Sequence, residues 1–235
     1  MQDTYPRPVG RVLITGGGSG LGQAVVRAVA EAGGTPAVID RDIAGAGEGV
    51  LARQADVSDR AAVERAVAEI AEELGGIDAV VTAAGIDRCG QLGDVAADQW
   101  ELVIGVNLLG TVSTVRAALP HLEKVHGRVI TVASSLALRA LPDATAYCAS
   151  KFGVLGFSRA LAAESHGRIG VTTLIPAGMR TRFFDDRDEQ YKPGPDAELI
   201  DPSEVARTIL FALQQPQGVE VRELVVMPEA EPSWP

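Results

Sequence analysis

A tyrosine and a lysine, Tyr147 and Lys151, stand at a spacing that places both side chains on one face of a helix. Residues four apart share a face because an α-helix has about 3.6 residues per turn. A free phenol titrates near pH ~10, but a fixed ammonium beside it stabilises the phenolate. Bringing the phenol pKa close to neutrality requires roughly 4 kcal/mol. The pair predicts proton exchange with a substrate oxygen, although the spacing alone is more typical of an exposed tyrosine and a solvated lysine.

Composition limits the classes of protein to which the chain can belong. The 235 residues are 46% hydrophobic, with 26 glycines and short β-branched runs alternating with alanine-rich ones, which predicts one α/β domain over residues 1–235. A net charge of −10 argues against nucleic-acid and anionic-membrane partners. We find no run of about 18 apolar residues and no signal-peptide core in residues 1–9, so we expect a cytoplasmic protein. Cys89 and Cys148 show no disulfide or metal spacing, and we expect no metal.

A glycine-rich segment follows the first apolar run. Residues 11–15 fit a buried strand, residues 16–22 hold the glycines, and a helical pattern extends over residues 21–32. In that order the glycines let a pyrophosphate approach the backbone at the positive end of a helix. A flexible loop is the alternative interpretation. The predicted contacts to the phosphates are Gly16, Gly18, Ser19, Gly20, Leu21 and Gly22.

An acidic residue ends the second predicted strand, residues 35–40. A carboxylate at the position of Asp40 accepts both ribose hydroxyls of NAD and repels the 2′-phosphate of NADP. Arg41 complicates this interpretation because a basic residue there attracts that phosphate. Ser19 is not basic and offers no second partner. The sequence therefore favours NAD as the cofactor, with NADP as the alternative.

The remaining pattern alternates strands with helices, which predicts a doubly wound, seven-stranded parallel sheet with helices on both faces. A long helix over residues 98–124 is expected to be interrupted near Pro120, and Asp201 is the expected N-cap of the last helix. The helix that carries Tyr147 is expected to extend to about Ser165. The other predicted strands are residues 53–57, 78–82, 127–133, 169–175 and 223–227, and the other predicted helix is residues 59–74.

These motifs resemble those of the classical short-chain dehydrogenase/reductase family, over nearly the whole chain. The resemblance implies a Rossmann-type fold and an NAD(P)-dependent oxidoreductase that interconverts secondary alcohols and ketones. It also implies a homodimer or homotetramer, formed through helices near residues 100–124 and 147–165. The matching positions are residues 15–22, Asp56 with Val57, Ala84 with Gly85, Asn107, Ser134, Tyr147 with Lys151, and Pro176 with Thr181.

Catalytic roles follow from the same resemblance. Tyr147 would exchange a proton with the substrate oxygen, and Ser134 would hydrogen-bond that oxygen, with the adjacent Ser135 left as an alternative. Lys151 would lower the tyrosine pKa and hold the nicotinamide ribose. Asn107 would hold a water that links Lys151 to solvent, by its side chain or by a helix irregularity. The implied cofactor contacts beyond the glycines are Asp56, Val57, Ala83, Ala84, Gly85, Tyr147, Lys151, Pro176, Gly178 and Thr181.

Several positions depart from the family pattern. Thr82 and Ala83 stand where two asparagines are usual, so the hydrogen bonds at this strand end must differ. Ala177 replaces a glycine. Residues 182–200 form a short, acidic stretch in place of a longer helical lid, and this stretch is either a solvated face or a short mobile lid. Cys89 is a possible pocket residue, and exposed Trp234 suggests docking on a neighbouring subunit or on the chain itself.

Two other functions are compatible with the sequence. One is an NADPH-dependent reductase of 3-oxoacyl thioesters, with the same fold and catalytic residues. The other is a regulator that binds a dinucleotide without turning it over. The presence together of Ser134, Tyr147, Lys151 and Asn107 argues against the regulator, because binding alone does not need all four.

Overall fold

The computed structural model describes residues 6–231, which form one seven-stranded, entirely parallel sheet with helices on both faces. This architecture confirms the predicted fold class. The sheet order is β3-β2-β1-β4-β5-β6-β7. The strands are β1 (Arg11–Thr15), β2 (Thr35–Asp40), β3 (Leu51–Gln54), β4 (Ala79–Thr82), β5 (Arg128–Val132), β6 (Gly170–Pro176) and β7 (Glu223–Val226).

The order of the strands along the sheet reverses at β1. This strand pairs with β2 on one side and with β4 on the other, and Thr15 is in register with Ile39 and Thr82. In doubly wound sheets the crevice outside the carboxyl ends of the strands at such a reversal is where ligands bind. The glycine-rich segment leaves β1 at this edge, so the topology places the predicted phosphate contacts there.

Helices cover the sheet in two apolar layers. Helices α1 and α6 pack on one face, with Val25 and Ile209 fully buried, and α2, α4 and α5 pack on the other, with Ile70 and Leu122 fully buried. Burial of this apolar surface is the main driving force that holds the helices on the sheet. The helices are α1 (Gly20–Glu31), α2 (Arg60–Leu74), α3 (Ala97–Ile104), α4 (Gly110–Leu122), α5 (Thr145–Ser165) and α6 (Pro202–Leu213).

Most element boundaries lie within one residue of the predicted ones, and two predictions fail by more. Strand β3 ends at Gln54, because the Asp56 carboxylate accepts a 2.8 Å hydrogen bond from the Ser58 amide and turns the chain into α2. The long helix is not interrupted at Pro120, which lies inside α4. Its irregularity is a π-helical turn, Gly105–Leu109, between α3 and α4. Both predictions were wrong: local propensity located neither the turn at Asp56 nor the π-helical turn.

The continuous helical run Ala97–Val125 has the length and composition of a membrane-spanning helix. Its most apolar window has a mean hydropathy of 1.6, and 44% of that window is buried inside the fold. The core helices of water-soluble proteins meet the same criterion. Here α4 packs against α2, and α3 packs against α5, so the run forms part of the layer that covers the sheet.

Candidate active site

A cavity of about 1020 Å³ opens at the carboxyl edge of the sheet. It extends from the glycine-rich segment to residues 182–192, which we call the strap. Most of the predicted site residues line this cavity. Gly18, Gly22 and Asn107 do not line it. The lining residues among those predicted are Gly16, Ser19, Gly20, Leu21, Asp40, Arg41, Asp56, Val57, Ala83, Ala84, Gly85, Ser134, Tyr147, Lys151, Pro176, Gly178 and Thr181.

Tyr147, Lys151 and Ser134 meet in this cavity. Tyr147 and Lys151 lie on one face of α5, and the Lys151 Nζ lies 5.5 Å from the centroid of the Tyr147 ring. The Tyr147 and Ser134 hydroxyls share a hydrogen bond, and the Ser134 Oγ also accepts one from the Leu136 amide at 3.1 Å. Ser135 lines the cavity too, but it is Ser134 that bonds the phenol. The geometry therefore brings the predicted proton donor and its partner serine together.

The pKa values of the pair move in directions set by burial. Burial raises the pKa of Tyr147 to about 12, opposed by the hydrogen bond with Ser134. Burial lowers the pKa of Lys151 to about 8, opposed by the negative charge of Asp87. In the protein without cofactor, burial sets the direction of the Tyr147 pKa shift, and the lowering of that pKa by Lys151 stays a prediction. The Lys151 ammonium donates a 2.8 Å hydrogen bond to the Val132 carbonyl, and Tyr147 holds its proton at neutral pH.

Asn107 sits at the centre of the π-helical turn and is fully buried. Its Oδ1 accepts a hydrogen bond from the Ile86 amide at 2.8 Å, and its Nδ2 donates to the Ile86 carbonyl at 2.9 Å and to the Ser150 Oγ at 3.0 Å. Ser150 in turn donates to the Tyr147 carbonyl at 2.8 Å. Asn107 thus ties the segment after β4 to the helix that carries Tyr147, a link through Ser150 that sequence reasoning missed.

The glycine-rich segment has the features that a pyrophosphate requires. Ser19 is the N-cap of α1, yet its side chain makes no capping hydrogen bond, and the first turn carries no acidic residue. The first amides of α1 are therefore not capped by a side chain, at the positive end of the helix dipole. Gly16 adopts φ +73°, and a Cβ there would lie 2.7 Å from the Ala84 amide nitrogen. The residues present fit a bound dinucleotide.

Gly22 is expected to tolerate no side chain. A Cβ at this position would overlap the Gly16 carbonyl, so Gly22→Ala must push α1 away from the end of β1. We expect a loss of about 1–3 kcal/mol in the free energy of unfolding, with weaker dinucleotide binding. Gly156→Ala is the matched control, because Gly156 is an exposed position in α5 with open space around it, and it should gain about 0.5–1 kcal/mol. Urea unfolding measures both; equal effects would contradict the steric argument.

Asp40 is held in place by the glycine-rich segment. Its Oδ2 accepts a 2.8 Å hydrogen bond from the Gly18 amide, and its Oδ1 accepts one from the Asp42 amide at 3.1 Å. The Arg41 side chain is exposed and lies 4.0 Å from the Asp56 carboxylate. The Asp40 carboxylate is thus fixed by backbone amides, whereas the Arg41 side chain extends towards Asp56.

The strap is not a purely solvated face, and the alternative of a short mobile lid stays a prediction. It consists of two short 3₁₀ turns, Arg182–Phe184 and Glu189–Tyr191, and Phe183 packs on Tyr147 with ring centroids 5.8 Å apart. Arg187 forms an ion pair with Asp87, which follows β4. Sequence reasoning missed Phe183, Arg187 and Asp87, because no local motif signals a contact between residues 100 positions apart.

Thr82, Cys89 and Trp234 are three further positions that the sequence singled out. The Thr82 Oγ1 is buried and has no hydrogen-bond partner within residues 6–231, so the bonds at this strand end differ from those that an asparagine would make. Cys89 lines the cavity, where its thiol donates to the Asp87 carboxylate at 3.3 Å. Burial raises the pKa of this thiol to about 12. Trp234, predicted to dock on a neighbour, lies outside the described residues.

Comparison of the sequence with known proteins gives consistent matches. Residues 10–192 match the short chain dehydrogenase family. D-threitol dehydrogenase from Mycolicibacterium smegmatis is 34% identical, over 85% of this chain and 84% of that protein. The BbsD subunit of (2S)-[(R)-hydroxy(phenyl)methyl]succinyl-CoA dehydrogenase from Thauera aromatica is 33% identical, over 88% and 90%. Glycine betaine reductase ATRR from Emericella nidulans is 30% identical over 94% of this chain, which spans only 19% of that larger protein.

Solved structures match the fold over nearly the whole chain. An alcohol dehydrogenase from the archaeon Thermococcus sibiricus, complexed with 5-hydroxy-NADP, superposes with a TM-score of 0.81 at 27% identity and covers 92% of this chain and 94% of that one. A short chain dehydrogenase from Burkholderia cenocepacia in complex with NADP gives a TM-score of 0.83 at 26% identity, over 93% and 96%.

Proposed function

The chain belongs to the short-chain dehydrogenase/reductase family, and from that premise we propose that it interconverts a secondary alcohol and a ketone with NAD(H), using Tyr147 as general acid and base. Membership makes it an NAD(P)-dependent oxidoreductase. The observation that carries the finer proposal is that Tyr147, Lys151 and Ser134 meet in the cavity that also contains the glycine-rich segment. The substrate is a small molecule without strong charge.

Four residues of the site have separate roles in the proton transfer. When bound, the nicotinamide supplies or accepts the hydride. In the reducing direction Tyr147 donates its proton to the carbonyl oxygen, and Ser134 donates a hydrogen bond to the same oxygen as negative charge develops there. Lys151 places a buried ammonium behind the phenol, which favours the phenolate left after transfer. Asn107 fixes the segment around Ile86 and, through Ser150, the turn of α5 that carries Tyr147.

The cofactor preference rests on Asp40. Its carboxylate lines the cavity and is oriented by the Gly18 amide, in a position to accept hydrogen bonds from ribose hydroxyls and to repel a 2′-phosphate. Arg41 is drawn towards Asp56, which weakens its pull on such a phosphate. We therefore propose NAD(H), with Asp40 as the selecting residue.

Titration of the purified protein with NADH and NADPH tests this proposal. The wild type is expected to bind NADH about tenfold more tightly or better, and Asp40→Ala is expected to shrink that gap because it removes both the acceptor and the repulsion. Asp42→Ala is the matched control, since it deletes an exposed carboxylate two residues away whose only described role is to cap a short turn, and the gap should persist. Tighter NADPH binding by the wild type would reverse the assignment, and no binding of either would reject the enzyme mechanism.

A second candidate is an NADPH-dependent reductase of 3-oxoacyl thioesters. Two observations favour it: structural neighbours are complexed with NADP or 5-hydroxy-NADP, and one relative is named as a dehydrogenase of a coenzyme A thioester. The same catalytic residues would serve both reactions. Steady-state turnover of an acyl thioester with NADPH, compared with a simple ketone and NADH, separates the two candidates.

We also propose a homo-oligomer, as the family resemblance implies. Leu109, beside α4, and Phe152, on α5, expose 55% and 46% of their surface. Both lie on the helices expected to pair between subunits, where contact with a second copy would bury them.

A further inference from the structure

An ion pair closes the substrate side of the cavity. The Asp87 side chain, just after β4, is 3% exposed, and that of Arg187, in the strap, is 18% exposed. The Arg187 Nη2 donates to the Asp87 Oδ2 at 2.7 Å, while the Asp87 Oδ1 accepts from the Arg88 amide. Removal of one partner of a pair this buried leaves an uncompensated charge, so its two members depend on each other.

Arg187 also connects this pair to the catalytic tyrosine. Its guanidinium carbon lies 4.6 Å from the ring centroid of Phe184 and 5.3 Å from that of Phe183. Phe183 in turn contacts the ring of Tyr147 at 5.8 Å between centroids. The Arg187 Nη1 donates to the Tyr191 carbonyl at 3.2 Å, which fixes the far end of the strap. A continuous chain of contacts thus runs from Asp87 through Arg187 and Phe183 to Tyr147.

We propose that Asp87 and Arg187 are a positioning pair that holds Phe183 against Tyr147, and that the resulting site selects carbonyl substrates with an aryl or alkyl substituent over polyols. The selectivity rests on the proposed function. Asp87 balances the charge of Arg187, which weakens the attraction of this arginine for a substrate carboxylate. What the strap presents beside Tyr147 is an aromatic ring, which stabilises an apolar substituent by burial.

The apolar part of the cavity wall supports this substrate class, although acidic residues of the strap also line the cavity. Leu136, Leu141 and Met179 line it together with Phe183 and Phe184. A polyol placed against these side chains would lose hydrogen bonds to water without replacement, at a cost in binding. An aryl or alkyl group has no hydrogen bonds to water to lose.

Three variants test the pair: Asp87→Asn, Arg187→Met and the double variant. Asp87→Asn keeps an acceptor for the Arg88 amide and removes the charge. Hydrogen exchange of the strap amides, measured without cofactor, is expected to become about tenfold faster or more in each single variant, because the strap loses its anchor. The double variant, with no stranded charge, should exchange no faster than the faster single one. Asp94→Asn, an exposed carboxylate of the loop that follows Asp87, is the matched control and should leave the strap unchanged. Unchanged exchange in both single variants overturns the positioning role.

Calorimetry with cofactor present tests the substrate class, with an aryl alkyl ketone and a linear polyol as probes. The wild type is expected to bind the ketone about tenfold more tightly, and Asp87→Asn is expected to lose most of that preference. Preference for the polyol, or binding of neither probe, would overturn the proposed substrate class. The hydrogen-exchange result would still decide whether Asp87 and Arg187 position the strap. Absence of NAD(H) binding in the same titration would instead identify failure of the proposed function.

The pH profile of turnover supplies a readout that simple loosening of the strap would not move in opposite directions in the two single variants. The groups that face Tyr147 are Ser134 from the end of β5, Lys151 and Cys148 from α5, Asp87 and Arg187. Asp87 raises the phenol pKa and Arg187 lowers it. The apparent pKa of the limb of the pH profile that is assigned to Tyr147 should therefore rise in Arg187→Met and fall in Asp87→Asn. Shifts in the same direction would show that loosening alone explains the variants.

Discussion

Tyr147→Phe is expected to lower turnover about 10²–10⁴-fold while the affinity for NAD(H) stays within about twofold. The substitution removes only the hydroxyl that Ser134 bonds, and it keeps the ring that packs against Phe183. Without that hydroxyl the developing alkoxide has no proton donor at its oxygen. Pre-steady-state absorbance of NADH and a binding titration measure the two quantities on the same preparation.

Tyr191→Phe is the matched control for that experiment. It deletes a phenol hydroxyl elsewhere in the cavity, and the hydrogen bonds described for Tyr191 involve only its backbone: its carbonyl accepts from Arg187, and its amide donates to the Asp188 carbonyl. We expect it to cost less than about tenfold in turnover. If Tyr147→Phe retained turnover within tenfold of the wild type, the general acid would have to be another group.

Lys151→Met is expected to abolish most activity and yet to stabilise the protein without cofactor by about 1–2 kcal/mol at pH 7. The buried ammonium has a pKa lowered from 10.5 to about 8. Below pH 8 both the folded and the unfolded chain carry the proton, so the folded state bears the full cost of burying the charge, roughly 3 kcal/mol. Loss of the hydrogen bond to the Val132 carbonyl offsets part of the gain.

The sign of this effect can be checked by its dependence on pH. Between pH 8 and 10.5 the folded protein loses the lysine proton before the unfolded chain does, so the cost fades and the advantage of Lys151→Met should shrink. Melting temperatures at pH 7 and pH 10 measure it, with Lys124→Met, an exposed lysine, expected to change stability by less than about 0.5 kcal/mol. An advantage that grew with pH would refute the burial argument. Such a trade of stability for function is common at active sites.

Local sequence signals predicted most of the framework. Strands β1 and β2 have the predicted bounds, and the Asp201 side chain caps α6 by accepting a hydrogen bond from the Ser203 amide at 2.9 Å. These elements were predictable because an apolar run between glycines, or an acid followed by proline, acts on its nearest neighbours.

Long-range contacts account for what was missed. The π-helical turn depends on bonds between Asn107 and Ile86, 21 residues apart in sequence, and no propensity encodes them. The Asp87–Arg187 pair spans 100 residues. The direction of the Tyr147 pKa shift depends on how deeply the phenol is buried, which spacing along one helix cannot give. The acidic composition of the strap favoured a solvated face, because composition does not show which side chains turn inward. Phe183, Phe184 and Arg187 are the strap residues that do.

The π-helical turn Gly105–Leu109 also has a consequence for the phase of the helices that flank it. A π turn accommodates one residue more than an α turn, so it absorbs the rotation of about 100° that each additional residue otherwise imposes on the rest of a helix. Helix α4 can therefore direct Val115 and Leu122 at the sheet while α3 keeps its own packing on α5. Deletion of one residue from this turn would restore a regular helix with both flanks still on their packing faces, but it would remove the irregularity in which Asn107 lies. The turn thus places Asn107 in an irregular stretch of helix without cost to the packing on either side.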